Sequence, residues 1–170
     1  MTATTSNGSL VHLDDARTIP IEHANRFAAT ARPLARAAGG GAIGATHYEV
    51  PPGKSAFPFH YHCGVDEALF VLEGQGTLRL GPERHAVRAG HWVTFRPGPD
   101  SAHELVNTGS TPLRYLCLST QATADVIGYP DSQKVAAVGS SSADFFDPPW
   151  IRGLYRIADT VEYYDGEDDR

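Results

Sequence analysis

Between residues 46 and 119, short runs of β-favouring residues alternate with glycine and proline punctuation. Residues 46–50 lead into Pro51-Pro52-Gly53, 68–72 into Gly74-Gln75-Gly76, 77–80 into Gly81-Pro82, and 85–88 into Gly90. Residues 92–95 lead into Pro97-Gly98-Pro99, 103–106 into Asn107 and Gly109, and 113–119 close the series. β-Branched and aromatic side chains suit a pleated, half-buried surface, whereas Gly and Pro supply turn conformations. Seven such runs at near-regular spacing, with no long helical period between them, predict an all-β antiparallel sandwich or barrel.

The flanks read differently. Residues 1–20 are rich in Thr, Ser and Asp without a sustained period, which predicts a flexible arm ending at Pro20. Residues 24–38 are rich in Ala and Arg and favour a short helix, broken by Pro33 and stopped by Gly39-Gly40-Gly41. A single domain is expected over 21–170, with a barrel core at about 46–120 and a tail over 121–170. The tail carries Phe145, Phe146, Trp150, Tyr155, Tyr163 and Tyr164. That much apolar surface is expected to pack on the barrel exterior or against a second copy of the chain, in a homodimer.

A net charge of −6 over 170 residues gives no reason to expect nucleic acid or an anionic membrane as a partner. The longest apolar stretches, such as residues 68–72, are strand-sized and far below the roughly 20 residues of a membrane span. Met1-Thr2-Ala3-Thr4-Thr5 lacks the basic region and apolar core of a secretory leader, so a cytoplasmic location is expected. Cys63 and Cys117 are then expected to be reduced thiols.

Chemistry concentrates in two places. Alternate residues of a strand share a face, so His60 and His62 point together, as a divalent transition metal requires of a β scaffold. Glu67 opens the next apolar run on the face it shares with Leu69 and Val71, where a charge is costly unless paired or bound to metal. His103 shares a face with Leu105 and Asn107 and completes a set of three imidazoles and a carboxylate. Such a set suits Fe, Mn, Co, Ni, Cu or Zn. Asp66 is the rival carboxylate. His12, His23, His47, His85 and His91 have no second histidine at ligand spacing and are expected on the surface or a wetted rim. The pairs His47/Glu49 and Tyr115/Cys117 each share a strand face and could each line the pocket. A solvated outer face, with Tyr48 and Val50 turned to the core, accounts at least as well for the first, and ordinary strand packing for the second. Arg96 and Lys54 read either as contacts for an anionic substrate or as plain exposed cations.

The two clusters resemble the two motifs of the cupin superfamily. The first reads His60-x-His62, four residues, Glu67, six residues, Gly74; the second reads Gly90, Pro97-Gly98, His103, three residues, Asn107. Using Asp66 would break the spacing to Gly74. Two spacings depart from the pattern. Six residues separate Gly53 from His60 and Gly90 from Pro97, one more than is usual, and Pro97 to His103 is also one longer. The resemblance implies a double-stranded β-helix, or jelly roll, with a metal held inside by His60, His62, Glu67 and His103. It extends to small bacterial single-domain cupins with a Tyr-Pro-Asp-Ser-x-Lys-Val segment, here residues 129–135, and an aromatic tail, here residues 163–167. These are loosely described as sugar-phosphate-isomerase-like.

The expected function is that of a divalent-metal-dependent enzyme, with Fe, Ni, Zn or Mn, acting on a small polar or anionic metabolite. Three neutral imidazoles and one carboxylate leave a divalent ion with a net charge of about +1, which attracts and polarises a carbonyl or carboxylate. Dioxygenase-type chemistry and aldose–ketose isomerisation both fit, the latter with Glu67 or a neighbour as catalytic base. The alternative is a non-enzymatic module that binds a metal or small ligand.

Overall fold

All seven predicted runs are strands in the computed structural model, which describes residues 10–140 and 149–167. In chain order these are β3 (Ile43–Val50), β5 (Glu67–Glu73), β6 (Gln75–Leu80), β7 (Glu83–Arg88), β8 (Trp92–Phe95), β9 (His103–Val106) and β10 (Leu113–Thr120). Six further strands join them: β1 (Ile19–His23), β2 (Phe27–Pro33), β4 (Tyr61–His62), β11 (Ala124–Tyr129), β12 (Lys134–Gly139) and β13 (Ile151–Arg156). Residues 1–9 of the expected arm, and Phe145 and Phe146 of the tail, lie outside the described residues.

One layer is a six-stranded sheet in the order β1-β2-β3-β10-β5-β8, antiparallel throughout. Opposite it lie a four-stranded sheet, β13-β12-β11-β4, and a three-stranded one, β7-β6-β9. An antiparallel bridge joins these two: the His60 amide donates to the His103 carbonyl at 3.1 Å, and the His103 amide to the His60 carbonyl at 2.8 Å. The result is a jelly-roll β fold with two proposed ligands at the seam of one layer. Val50, Val71 and Leu113 are fully buried between the layers, beside stacked Tyr48 and Tyr115, whose ring centroids are 5.3 Å apart.

The short helix expected within 24–38 is confined to the end of that range, and residues 27–33 are strand instead. β1 and β2 form a hairpin that extends the six-stranded sheet, and only Leu34–Ala37 forms a single helical turn, α1. Ala29, Ala31 and Pro33 alternate into the core. Alanine's helix preference amounts to a few tenths of a kcal/mol per residue, which sheet pairing and burial override. The tail also differs from an outer wrap. β11 and β12 are integral to the second layer, and β11 lies directly beside β4. Further along, Trp150, Leu154, Tyr155, Tyr163 and Tyr164 are exposed.

Gly74 closes the β5–β6 turn in the left-handed region, at φ +82°. A Cβ there would lie 2.6 Å from the Pro112 carbonyl oxygen and 3.0 Å from the Leu113 Cα. The backbone preference alone costs about 1–2 kcal/mol, and the contact is with main chain that cannot swing away. Gly74→Ala is therefore expected to lower stability by about 2 kcal/mol or more, read from the urea midpoint. An unchanged midpoint would show that this turn tolerates a side chain.

Candidate metal centre

The ligand strand is short. β4 pairs with β11 through Ile127↔His62 and Gly128↔Tyr61, and His60 precedes it in the bridge to His103. Glu67 enters from the opposite layer as the first residue of β5. Its Oε2 lies 3.4 Å from His62 Nε2 and 3.5 Å from His103 Nε2. His60, His62 and Glu67 each offer a ligand atom within 4.8 Å of the others, a group able to hold a metal ion. The His60 ring centroid is 5.3 Å from that of His62 and 4.6 Å from that of His103, so all four residues meet at one place. Asp66 is exposed, and its amide donates to Thr120 Oγ1 at 3.0 Å.

The Nδ1 atoms decide which nitrogen is available. His60 Nδ1 lies 2.8 Å from the Pro58 carbonyl oxygen, His103 Nδ1 3.0 Å from that of Ser101, and His62 Nδ1 2.5 Å from Asp125 Oδ2. Each partner only accepts, so each Nδ1 carries the hydrogen and each Nε2 keeps its lone pair. Metal-binding histidines are held in this way, with the second nitrogen anchored on a carbonyl or carboxylate. Phe95 stacks on His103 at 3.6 Å and 7°, and Tyr129 lies over His60 at 6.2 Å and 26°.

Electrostatics favour a charged carboxylate at Glu67 beside a neutral His60. Burial opposes ionisation of Glu67, but the His103 hydrogen bond and the nearby imidazole charges outweigh it and hold the carboxyl at about 2. Burial, reinforced by His103, lowers His60 to about 4 against the pull of Glu67. Burial also works against a charged His62, yet the Asp125 hydrogen bond and Glu67 outweigh it and raise the ring above its ordinary value. Three imidazole lone pairs and one ionised carboxylate form a donor set that fits a divalent transition metal.

Residues 46–119 match the model of the cupin domain family. Over that segment the chain is similar to cupin domains. A structure from Acidithiobacillus ferrooxidans, provisionally named a sugar phosphate isomerase, is 22% identical, with a TM-score of 0.76 over 91% of this chain and 96% of that one. A second, from Silicibacter pomeroyi and named a sugar phosphate isomerase from a cupin superfamily, is 21% identical, with a TM-score of 0.75 over 92% of this chain and 98% of that one. At such identities the likeness establishes the fold. An uncharacterized protein of Methanocaldococcus jannaschii is 33% identical over 70 residues, which is 41% of this chain and 54% of that protein. The matched cupin segment contains His60, His62, Glu67 and His103; it ends before β11, which supplies Asp125 and Tyr129.

A cavity of about 510 Å³ opens over the four residues. Of the two pairs left open by the sequence, Tyr115 and Cys117 line it, and His47 and Glu49 do not. Cys117 Sγ lies 3.8 Å from Glu67 Oε1. Burial, with Glu67 adding, pushes the Cys117 thiol well above its ordinary value, and burial with Asp125 raises Tyr129, so both stay protonated donors at neutral pH. His47 is a correction: it is 3% exposed rather than solvated, because it sits between Leu116 and Arg32 in the sheet register. Burial and the charge of Arg32 lower it. Arg96 is exposed and outside the cavity, and Lys54 Nζ is bound to the Asn25 carbonyl at 2.5 Å. The arginines that line the cavity are Arg36 of α1 and Arg152 of β13. No sequence spacing signalled them. Cys63 and Cys117 are both free thiols. Among the described residues no helix is long and apolar enough to cross a membrane.

Proposed function

We propose that this protein is a divalent-metal-dependent enzyme acting on a small polar or anionic metabolite, with His60, His62, Glu67 and His103 holding the metal. The observation that carries the reading is the convergence of three Nε2 lone pairs and one ionised carboxylate on the floor of a cavity of about 510 Å³. That volume suits a small metabolite. When bound, the metal supplies Lewis-acid or redox chemistry to a carbonyl, carboxylate or dioxygen.

This chain's own residues do the rest. Arg36 and Arg152 line the cavity, within reach of a bound molecule. Tyr129 and Cys117 bring protons that can be donated to substrate oxygens. A carboxyl held at about 2 is a weak base, so Glu67 is better suited to holding a cation than to taking a proton.

The test is turnover by metal-loaded protein in two assays: aldose–ketose interconversion of sugar phosphates, and dioxygen uptake with diols and diketones. Turnover abolished by a chelator in either assay supports an enzyme and selects its chemistry. Water-proton relaxation of the Mn(II)-loaded protein runs alongside. An absence of exchangeable water on the metal, with no turnover, would replace this reading with a structural metal.

We further propose that the protein acts as a homodimer. β13 is the edge strand of its sheet, and Ile151, Leu154 and Tyr155 on it are exposed, which favours pairing with a second copy. Light scattering is expected to give twice the chain mass, and a concentration-independent monomer would overturn it.

A further inference from the structure

We propose that Asp125 is the positioning residue of this site: its carboxylate fixes the tautomer of His62, so that Nε2, the nitrogen facing Glu67, keeps its lone pair. The other two histidines are held by main-chain carbonyls of their own segments, Pro58 for His60 and Ser101 for His103, each two residues away. A carbonyl only accepts, so those two tautomers are set by local backbone. His62 has no such anchor. Its Nδ1 is held by a side chain 63 residues away, from a strand outside the matched cupin segment.

The carboxylate is itself held firmly. Asp125 Oδ1 accepts from the Gly64 amide at 2.8 Å and from the Cys63 amide at 3.2 Å, while Oδ2 meets His62 Nδ1 at 2.5 Å. The Cys63 amide also donates to the Val126 carbonyl at 2.9 Å, and Ile127 pairs with His62, so β11 grips the ligand strand on both sides of the ring. One oxygen is thus committed to two N–H donors, and only the other is left for the imidazole.

This division makes Asp125→Asn informative. The amide oxygen must take the Oδ1 place, because the opposite orientation would set an NH2 group against two N–H donors. The NH2 group then occupies the Oδ2 place and donates to His62 Nδ1. That transfers the ring hydrogen to Nε2 and removes the lone pair that faces the site. The same loss of tautomer control underlies the large defect seen when the aspartate of a serine-protease triad is changed to asparagine. A purely structural Asp125 would be replaced well by Asn, since the number of hydrogen bonds is unchanged.

The experiment uses the full chain, metal-free, with 15N-labelled histidine. In the wild type, recorded at a pH high enough for His62 to be neutral, long-range 1H–15N spectra should show all three site histidines with hydrogen on Nδ1. In Asp125→Asn, His62 should change to the Nε2–H form while His60 and His103 keep theirs as internal controls. Zn(II) affinity, measured by competition with a chromophoric chelator, should fall about 10–100-fold. An unchanged His62 tautomer, or a changed tautomer with wild-type affinity, would overturn the assignment. Only the affinity measurement rests on the proposed metal function. If the wild type itself binds no zinc, that function fails, and the tautomer spectra alone decide what Asp125 does.

Discussion

Replacing His60 and His62 together with alanine is expected to abolish metal retention and to leave a folded β-barrel. These residues supply two of the four proposed ligands, and the remaining pair, Glu67 and His103, cannot complete the coordination of a divalent transition metal. The fold should survive because the His60–His103 bridge is made by main-chain atoms, and β4 is held to β11 through backbone pairing. Neither imidazole belongs to the apolar cluster between the layers. After gel filtration, elemental analysis should fall from about one ion per chain to none, with the far-ultraviolet circular dichroism of a β protein unchanged. Full metal occupancy in the double variant would refute the ligand assignment.

The second large effect is on stability. Asn107 is fully buried, and its Nδ2 donates to the Val50 carbonyl at 2.8 Å and the Thr111 carbonyl at 2.9 Å. Its Oδ1 accepts from the Gly109 amide at 2.9 Å. One side chain therefore ties the end of β9 to β3 and to the turn before β10. Asn107→Ala leaves two carbonyls and one amide without these partners, at about 1–3 kcal/mol for each buried group that water does not reach. A loss of about 3 kcal/mol or more is expected, seen as a drop in melting temperature of about 6–12 °C for a chain of this size. A change below about 1 kcal/mol would mean that water replaces the side chain. The asparagine of the second motif thus serves the fold, although it shares a strand face with His103.

The barrel strands and the four convergent residues were legible because their signals are local. Alternation places Glu67 with Leu69 and Val71, and the two-residue spacing places His60 with His62. Elements whose identity depends on distant partners were not legible. In β2 the inward positions are Ala29, Ala31 and Pro33, and small inward residues beside polar ones give almost no contrast for a strand period. His47 reads as solvated until the register shows Leu116 on one side and Arg32 on the other. Asp125 lies 63 residues from His62, and nothing in its own neighbourhood, Ala124-Asp125-Val126, marks it as functional. The resemblance marks the segment 129–135 without assigning it a structural role. In the structure it is the end of β11, a tight turn with Gln133 at φ +51°, and the start of β12. It sets Tyr129 against His60 and gives Asp131 to Arg79 at 2.6 Å.

Metal content tests the central claim most directly. Protein purified aerobically, and a second sample purified anaerobically and reloaded with Fe(II), would be measured by plasma mass spectrometry after exhaustive desalting. The arrangement of His60, His62, Glu67 and His103 predicts about one transition-metal ion per chain in at least one of these samples. No metal retained under any loading condition would contradict it, and would leave these four residues as a polar cluster within the barrel.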